Sequence, residues 1–277
     1  MLSDAHVAEL ARAARRRVGV ALDPSKAQMY HLRLTPIARR EGLTHPGELI
    51  EMGLMRPDDP AWDVMVDALL NAETSFFRDR TPFDVFSKAI LPELAHKRGE
   101  SDKIRIWSAG CSTGQEAYSL AMLLHEAREE GRCGPFEVIA TDISERLLDR
   151  ARSGAYSQFE AQRGLSIRRL IRHFERAGDT WRISDRLRAS VRFINHNLLH
   201  DAGQLGMFDA IFCRNVLSAF DAETRADVLE RLGEAAHNDA PLFLGADEDI
   251  AGGMRCFTPS RVHQGVFTRI TGRAVAA

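Results

Sequence analysis

The stretch Ile104-Arg105-Ile106-Trp107-Ser108-Ala109-Gly110-Cys111-Ser112-Thr113-Gly114, continued by Gln115-Glu116-Ala117-Tyr118-Ser119-Leu120-Ala121-Met122-Leu123-Leu124, decides the fold class. Residues 104–108 are a short apolar run of strand length, closed by a loop of small residues. Over 115–124 the spacing changes, and Ala117, Leu120, Ala121 and Leu124 share one side of a helix. Phe136-Glu137-Val138-Ile139-Ala140-Thr141-Asp142 then repeats the strand pattern and ends in an acid, and Ser144 is placed to cap a helix running to Arg152. Strand, helix, strand, helix in this order predicts a parallel α/β sheet.

Working outward, 208–213 predicts another buried strand, 222–236 a helix, and 241–245 and 265–270 the strands that complete the sheet. Residues 155–190 break the rhythm. A helix over 167–174 is followed by strand patterns at 181–184 and 191–194, which predicts a small β-subdomain inserted around 155–190. Toward the N-terminus no strand is evident. Ser3 and Asp4 can cap a helix to Arg17, Asp23-Pro24-Ser25 opens a second to Arg40 with Gly42 as its stop, and 62–70 has the spacing of a third. The expected organisation is an all-α N-terminal domain over 1–80, a linker over 81–100 and the sheet domain over 101–277.

A net charge of -2 leaves no overall attraction to nucleic acid or to an anionic membrane, so any basic surface is local. One such region exists. Within 1–45, Arg12, Arg15, Arg16, Arg17, Lys26, Arg33, Arg39 and Arg40 are opposed only by Asp4, Glu9, Asp23 and Glu41, which fits either a solvated helix face or a dock for an acidic partner. Cys111, Cys133, Cys213 and Cys256 form no C-x-x-C pair, so neither a metal site nor a disulfide framework is expected. No segment has the roughly 20 apolar residues that span a bilayer, and the N-terminal residues lack the apolar core of a signal peptide. The expectation is a cytoplasmic protein with reduced thiols and no membrane insertion.

Ligands of open parallel sheets bind beyond the carboxyl ends of the strands. Three features fall there: the small-residue loop of Gly110 and Gly114, Asp142 at the next strand's end, and Arg214-Asn215 after the apolar run 208–213. A glycine loop lets a ligand approach backbone at a helix N-terminus, and a strand-end carboxylate can accept hydrogen bonds from ribose hydroxyls. Each alone also fits a tight turn or a solvated acid; together they indicate a nucleoside-like cofactor. The loop lacks G-x-G-x-x-G, and Asp142 lies beyond the roughly 20-residue offset of dinucleotide folds, which argues against NAD.

Ala72-Glu73-Thr74-Ser75-Phe76-Phe77-Arg78-Asp79 resembles the N-E-T-S-F-F-R-D signature of CheR methyltransferases. The run 107–119 resembles that family's W-S-A-G-C-S-T-G-E-E-x-Y-S, and Ala140-Thr141-Asp142-Ile143-Ser144, Asn197-Leu198-Leu199 and Phe212-Cys213-Arg214-Asn215-Val216-Leu217 follow in the family's order. The resemblance implies a Rossmann-like class I methyltransferase sheet, S-adenosyl-L-methionine as cofactor with S-adenosyl-L-homocysteine as product, and methyl esterification of glutamate side chains on the cytoplasmic helices of chemoreceptors. It implies cofactor contacts at Asn71, Thr74, Arg78, Gly110, Glu116, Asp142, Asn197, Leu198, Arg214 and Asn215. Arg78, together with Lys97 or Arg98, is the expected basic guide for the acceptor carboxylate. Phe76 and Phe77 are expected in the core. Two departures bear on turnover rather than cofactor binding: Ala72 replaces the family's asparagine, with Asn71 one residue earlier, and Ala219 replaces a tyrosine. The alternatives they leave open are a cofactor-binding regulatory module and a methyltransferase for a different acceptor.

Overall fold

The computed structural model describes residues 1–56, 59–250 and 256–270. They form two compact units, one of Met1–Asn71 with Ala219–Thr224 and a larger one of Ala72–Ser218 with Arg225–Ala277.

The smaller unit is built on four helices, α1 (Asp4–Val18), α2 (Ala27–Arg40), α3 (Pro46–Met55) and α4 (Ala61–Leu69). Ser3 caps α1 by accepting the His6 N–H, and Leu10, Ala14, Leu34, Ile50, Met65 and Val66 close their core. Residues 219–224 belong here because the Ala21 N–H donates to the Ala219 carbonyl and Val20 bridges Phe220. The helix α3 is an addition to the sequence expectation. Its signal is the His45-Pro46-Gly47-Glu48 start, where His45 and Glu48 cap each other across the first turn.

In the larger unit, residues 81–100 are not a linker. They fold as α5 (Thr81–Val85), a π-helical turn (Phe86–Ile90) and α6 (Leu91–Arg98), and Phe83, Phe86 and Leu91 are buried in its core. This segment packs on the sheet through Phe86, whose ring lies 5.5 Å from Phe212 and 6.2 Å from Phe243, centroid to centroid.

The sheet strands are β1 (Ile104–Ala109), β2 (Phe136–Asp142), β6 (Val191–Asn195), β7 (Ala210–Cys213), β8 (Pro241–Leu244), β9 (Phe257–Pro259) and β10 (Val266–Arg269), in the order β6-β2-β1-β7-β8-β10-β9. The first five are parallel and β10 pairs antiparallel on both sides. Helices α7 (Gln115–Glu129), α8 (Glu145–Ser153) and α12 (Ala222–Glu234) make the crossovers. The insert is a three-stranded sheet of β3 (Ala155–Ser157), β4 (Phe174–Ala177) and β5 (Thr180–Ile183), in the order β3-β5-β4, with short helices α9 (Gln158–Gln162), α10 (Ile167–His173) and α11 (Asp185–Arg188). The register pairs Ala109 with Thr141, Asp142 with Asn195, Ser108 with Phe212 and Cys213 with Leu244, so the ends of five parallel strands open on one edge. None of the four cysteines is in a disulfide, and Cys111 and Cys213 are buried. No helix among the described residues is long and apolar enough to cross a membrane.

Candidate functional site

The loop after β1 is stitched to β2 by the N–H groups of Gly110 and Cys111, both donating to the Thr141 carbonyl at 2.8 Å. Gly110 takes φ +77, and a Cβ there would overlap Val216, so glycine is what lets the turn after β7 approach this loop. Asp142, at the next strand's end, accepts the Ser112 N–H at 2.8 Å on one oxygen and the Ser144 N–H at 3.0 Å on the other. Those two bonds fix the orientation of its carboxylate. Ser144 in turn caps α8 by accepting the Leu147 N–H.

Beside it lies a buried charge network. Glu116, in the first turn of α7, accepts the Ser108 hydroxyl at 2.8 Å and Arg214 Nη1 at 3.3 Å. Arg214 Nη2 donates to Asp79 at 2.6 Å, and the guanidinium lies 5.6 Å over the Phe83 ring. Burial pushes the Glu116 carboxyl above the usual range, opposed by Arg214 and Ser108. Arg214 Nε is buried and has no hydrogen-bond partner among the described residues, which leaves a donor for a ligand atom. Burial also pushes the Cys111 thiol well up, with Asp142 and Glu116 adding to the effect, so this thiol is no nucleophile at neutral pH.

The 72–79 loop reaches the same edge. Ser112 Oγ donates to the Ala72 carbonyl at 2.9 Å, and the Phe77 N–H donates to Ser119 Oγ at 3.0 Å. Phe76 is fully buried, 5.0 Å from Tyr156 and 5.5 Å from Phe174, so it packs the core as expected, and Phe77 does so against Phe83. Thr74 and Arg78 are half-buried, and Arg78 Nη1 donates to the Glu73 carbonyl at 2.8 Å. Beyond β6, Asn197 Oδ1 accepts the Leu199 N–H at 3.0 Å and Leu198 is buried. Asn215 follows β7 in a left-handed conformation with φ +60.

The structure therefore gathers Thr74, Arg78, Gly110, Glu116, Asp142, Asn197, Leu198, Arg214 and Asn215 at one sheet edge. Asn71 is exposed and falls in the smaller unit. Arg98 is elsewhere. Its Nε donates to Asp209 at 2.8 Å, and the same carboxylate accepts the Arg105 N–H at 2.8 Å, at the amino ends of β7 and β1. Arg98 thus ties α6 to the opposite edge of the sheet and cannot guide an acceptor, and Lys97 shares that place. The buried carboxylate of Asp209, 5% exposed, draws the guanidinium there. Sequence reasoning passed over Asp79, Ser108 and Glu248. Asp79 stood in the quoted motif; Glu248, in the acidic run Asp247-Glu248-Asp249, reads locally as a solvated turn.

Residues 72–266 match the family model described as "CheR methyltransferase, SAM binding domain". The chain belongs to the CheR methyltransferase family. Among its relatives is "Chemotaxis protein methyltransferase 1" of Pseudomonas aeruginosa, 37% identical, with 84% of this chain and 85% of that protein covered. "Chemotaxis protein methyltransferase" of Vibrio anguillarum is 34% identical, with 97% and 98% covered, and the Escherichia coli protein of the same name is 33% identical, with 93% and 88% covered. The cofactor of this CheR domain is S-adenosylmethionine. The residues present fit it: its sulfonium and amino group are cationic, and three carboxylates, Asp79, Glu116 and Asp142, stand here with the guanidiniums of Arg78 and Arg214.

Proposed function

We propose that this CheR-family chain esterifies glutamate side chains on the cytoplasmic helices of chemoreceptors, and that it works in the cytoplasm. The observation that carries the proposal is the gathering of the Asp142 carboxylate and the Arg214–Glu116–Asp79 network at the sheet's carboxyl edge. Asp142, at the end of β2, would accept hydrogen bonds from the ribose hydroxyls. Thr74, Arg78, Gly110, Glu116, Asn197, Leu198, Arg214 and Asn215 would line the cofactor.

S-adenosylmethionine supplies an electrophilic methyl on a sulfonium. A glutamate acceptor has an ordinary pKa of about 4.3 and is already ionised at neutral pH, so the protein has no proton to remove. Its work is alignment, an effect that can supply roughly 7–11 kcal/mol. Charge is also neutralised as the bond forms, so the apolar walls of Phe76, Phe77 and Phe83 behind the polar edge favour the reaction by limiting water. Arg78 is the cation proposed to meet the acceptor carboxylate. The basic residues of α1 and α2 would steer an acidic receptor helix. Their charge is partly answered already, since Arg12 pairs with Glu9, Arg15 with Asp221 and Arg17 with Asp63, but the Arg15 side chain stays 62% exposed, where an ion pair cancels little.

A second reading, a cofactor-binding regulatory module, is favoured by Ala219 in place of the family's tyrosine. Methyl-labelled cofactor with receptor-containing membranes separates the two. Glutamate esterification predicts label on the receptor that mild alkali releases as methanol. Alkali-stable label, or label on another protein, would point to a different acceptor. Cofactor binding without any transfer would sink the enzymatic proposal, and recovery of transfer by Ala219→Tyr would place the defect in acceptor positioning.

A further inference from the structure

The turn after β7 carries Arg214 and Asn215 and runs into a 3-10 turn at Leu217–Ala219. Asn215 takes φ +60, a left-handed conformation that asparagine tolerates better than other non-glycine residues and that an outside restraint holds more firmly. The Glu248 carboxylate, from the loop after β8, supplies that restraint. One of its oxygens accepts the Asn215 N–H at 2.7 Å and the Gly245 N–H at 2.8 Å, and the other accepts the Ser218 N–H at 3.0 Å. Glu248 is itself anchored, its N–H donating to the Gly245 carbonyl at 3.1 Å. Room for this comes from residue 245. A Cβ there would lie 2.8 Å from Asn215 Nδ2 and 2.8 Å from Glu248 Oε2, closer than real side chains approach.

We propose that Glu248 is a positioning residue for methyl transfer, an inference that rests on the function proposed above. Three backbone N–H groups from two segments converge on one anionic carboxylate, the strong charge-assisted form of the bond. They join the ends of β7 and β8 and set the backbone from which Arg214 reaches Glu116 and Asp79 and from which Asn215 projects. A carboxylate is the side chain this needs, because it accepts on both oxygens. The amide of a Glu248→Gln variant turns one of them into a donor facing an N–H, so either the Ser218 contact or the Asn215 and Gly245 contacts are lost while the side chain keeps its size. Glu248 acts only through the turn it holds.

The test compares wild type, Glu248→Gln and Glu248→Asp in three measurements: S-adenosylhomocysteine affinity by calorimetry, methyl transfer to receptor-containing membranes, and thermal unfolding. Expected for Glu248→Gln are an unfolding temperature lowered by only several degrees, a roughly tenfold weaker affinity, and kcat lowered at least tenfold with little change in KM for the receptor. Glu248→Asp, which cannot span both segments, should fall further. Lowered thermal stability with unchanged affinity and kcat would reduce Glu248 to a structural role and overturn the proposal. If neither variant folds, amide exchange on the wild-type chain decides: slow exchange at Asn215 and Ser218 supports the brace, and free exchange at both removes it. Should the wild type bind S-adenosylhomocysteine but label no receptor, the acceptor assignment fails, and the affinity of Glu248→Gln still tests the brace by itself.

Discussion

Gly164 is where a single methyl group would travel furthest. It lies in the insert between α9 and α10, at φ +95, with its α-carbon against the backbone of Phe76 in the 72–79 loop. A Cβ at Gly164 would fall inside the Phe76 carbonyl oxygen and 2.9 Å from its carbonyl carbon, against an ordinary carbon contact of about 3.5–4.0 Å. The oxygen is the tighter of the two contacts, and clearing it takes a backbone movement of more than about 1 Å. The left-handed conformation alone costs an alanine about 1–2 kcal/mol, and overpacking against a fixed neighbour adds about 1–3 kcal/mol. Gly164→Ala should then lose about 2–5 kcal/mol of stability in the larger unit. Gly178→Ala is the control. It shares the left-handed conformation at φ +62, but nothing lies within 4 Å of its Cβ position, so it should lose only about 1–2 kcal/mol. At about 2–4 °C per kcal/mol, calorimetric midpoints should fall by about 4–20 °C and 2–8 °C respectively. The same displacement carries Thr74 and Arg78 out of place, and a misplacement near 1 Å can cost about a hundredfold in rate. Methyl transfer should drop accordingly in Gly164→Ala and hold in Gly178→Ala. Equal midpoints and equal transfer in the two variants would refute the close approach and the dependence of the loop on the insert.

Asp142→Asn keeps the size of the strand-end side chain but gives up its charge, so S-adenosylhomocysteine affinity should weaken about 10–100-fold, the scale of one charged hydrogen bond lost at about 1.5–3 kcal/mol; an unchanged dissociation constant in calorimetry would remove the ribose role. Arg98→Ala should lower the unfolding free energy by about 1–3 kcal/mol, discounted because Arg98 is partly exposed and Asp209 keeps the Arg105 N–H, while cofactor affinity stays at wild type. A marked affinity change there would return Arg98 to the site. Burial holds His125 neutral, its pKa lowered from 6.5 to about 4, so protonation favours the unfolded chain and the stability this residue contributes is complete above 6.5 and lost as pH falls toward 4. Glu126 continues the trend: burial works to raise its carboxyl, but the hydrogen-bonded Arg169 guanidinium and the nearby His173 ring outweigh that and lower it to about 2, so its contribution is lost as pH falls from 4.5 toward 2. Urea midpoints should decline through this window, with a flatter curve between 6.5 and 4 for His125→Gln; parallel curves would contradict the assignment.

The parts of this chain that could be read residue by residue are those whose causes are local. Alternating strand and helix spacing over 104–152 identified the parallel sheet, because buried strands and crossover helices impose those periods on any sequence that folds this way. The glycine loop, Asp142 and Arg214-Asn215 could be placed at the carboxyl edge for the same reason. The cap at His45-Pro46-Gly47-Glu48 was equally local and was passed over, which cost one helix.

Other features had no local cause. Residues 81–100 look like a charged connector until Phe83 and Phe86 meet Phe212 and Phe243 across the sheet. Arg98 looks like a free cation until Asp209, 111 residues away, accepts from it. Arg214 pairs with Asp79 across 135 residues and with Glu116 across 98. Glu248 sits in an acidic run that any solvated turn could carry. The chain by itself determined the order of strands and helices in the sheet and which of its edges is the carboxyl edge, since periodicity and strand direction are written in neighbouring residues. Only the tertiary structure decided which charges are partners and which backbone is braced, because electrostatic pairing depends on distance through space and is blind to separation along the chain.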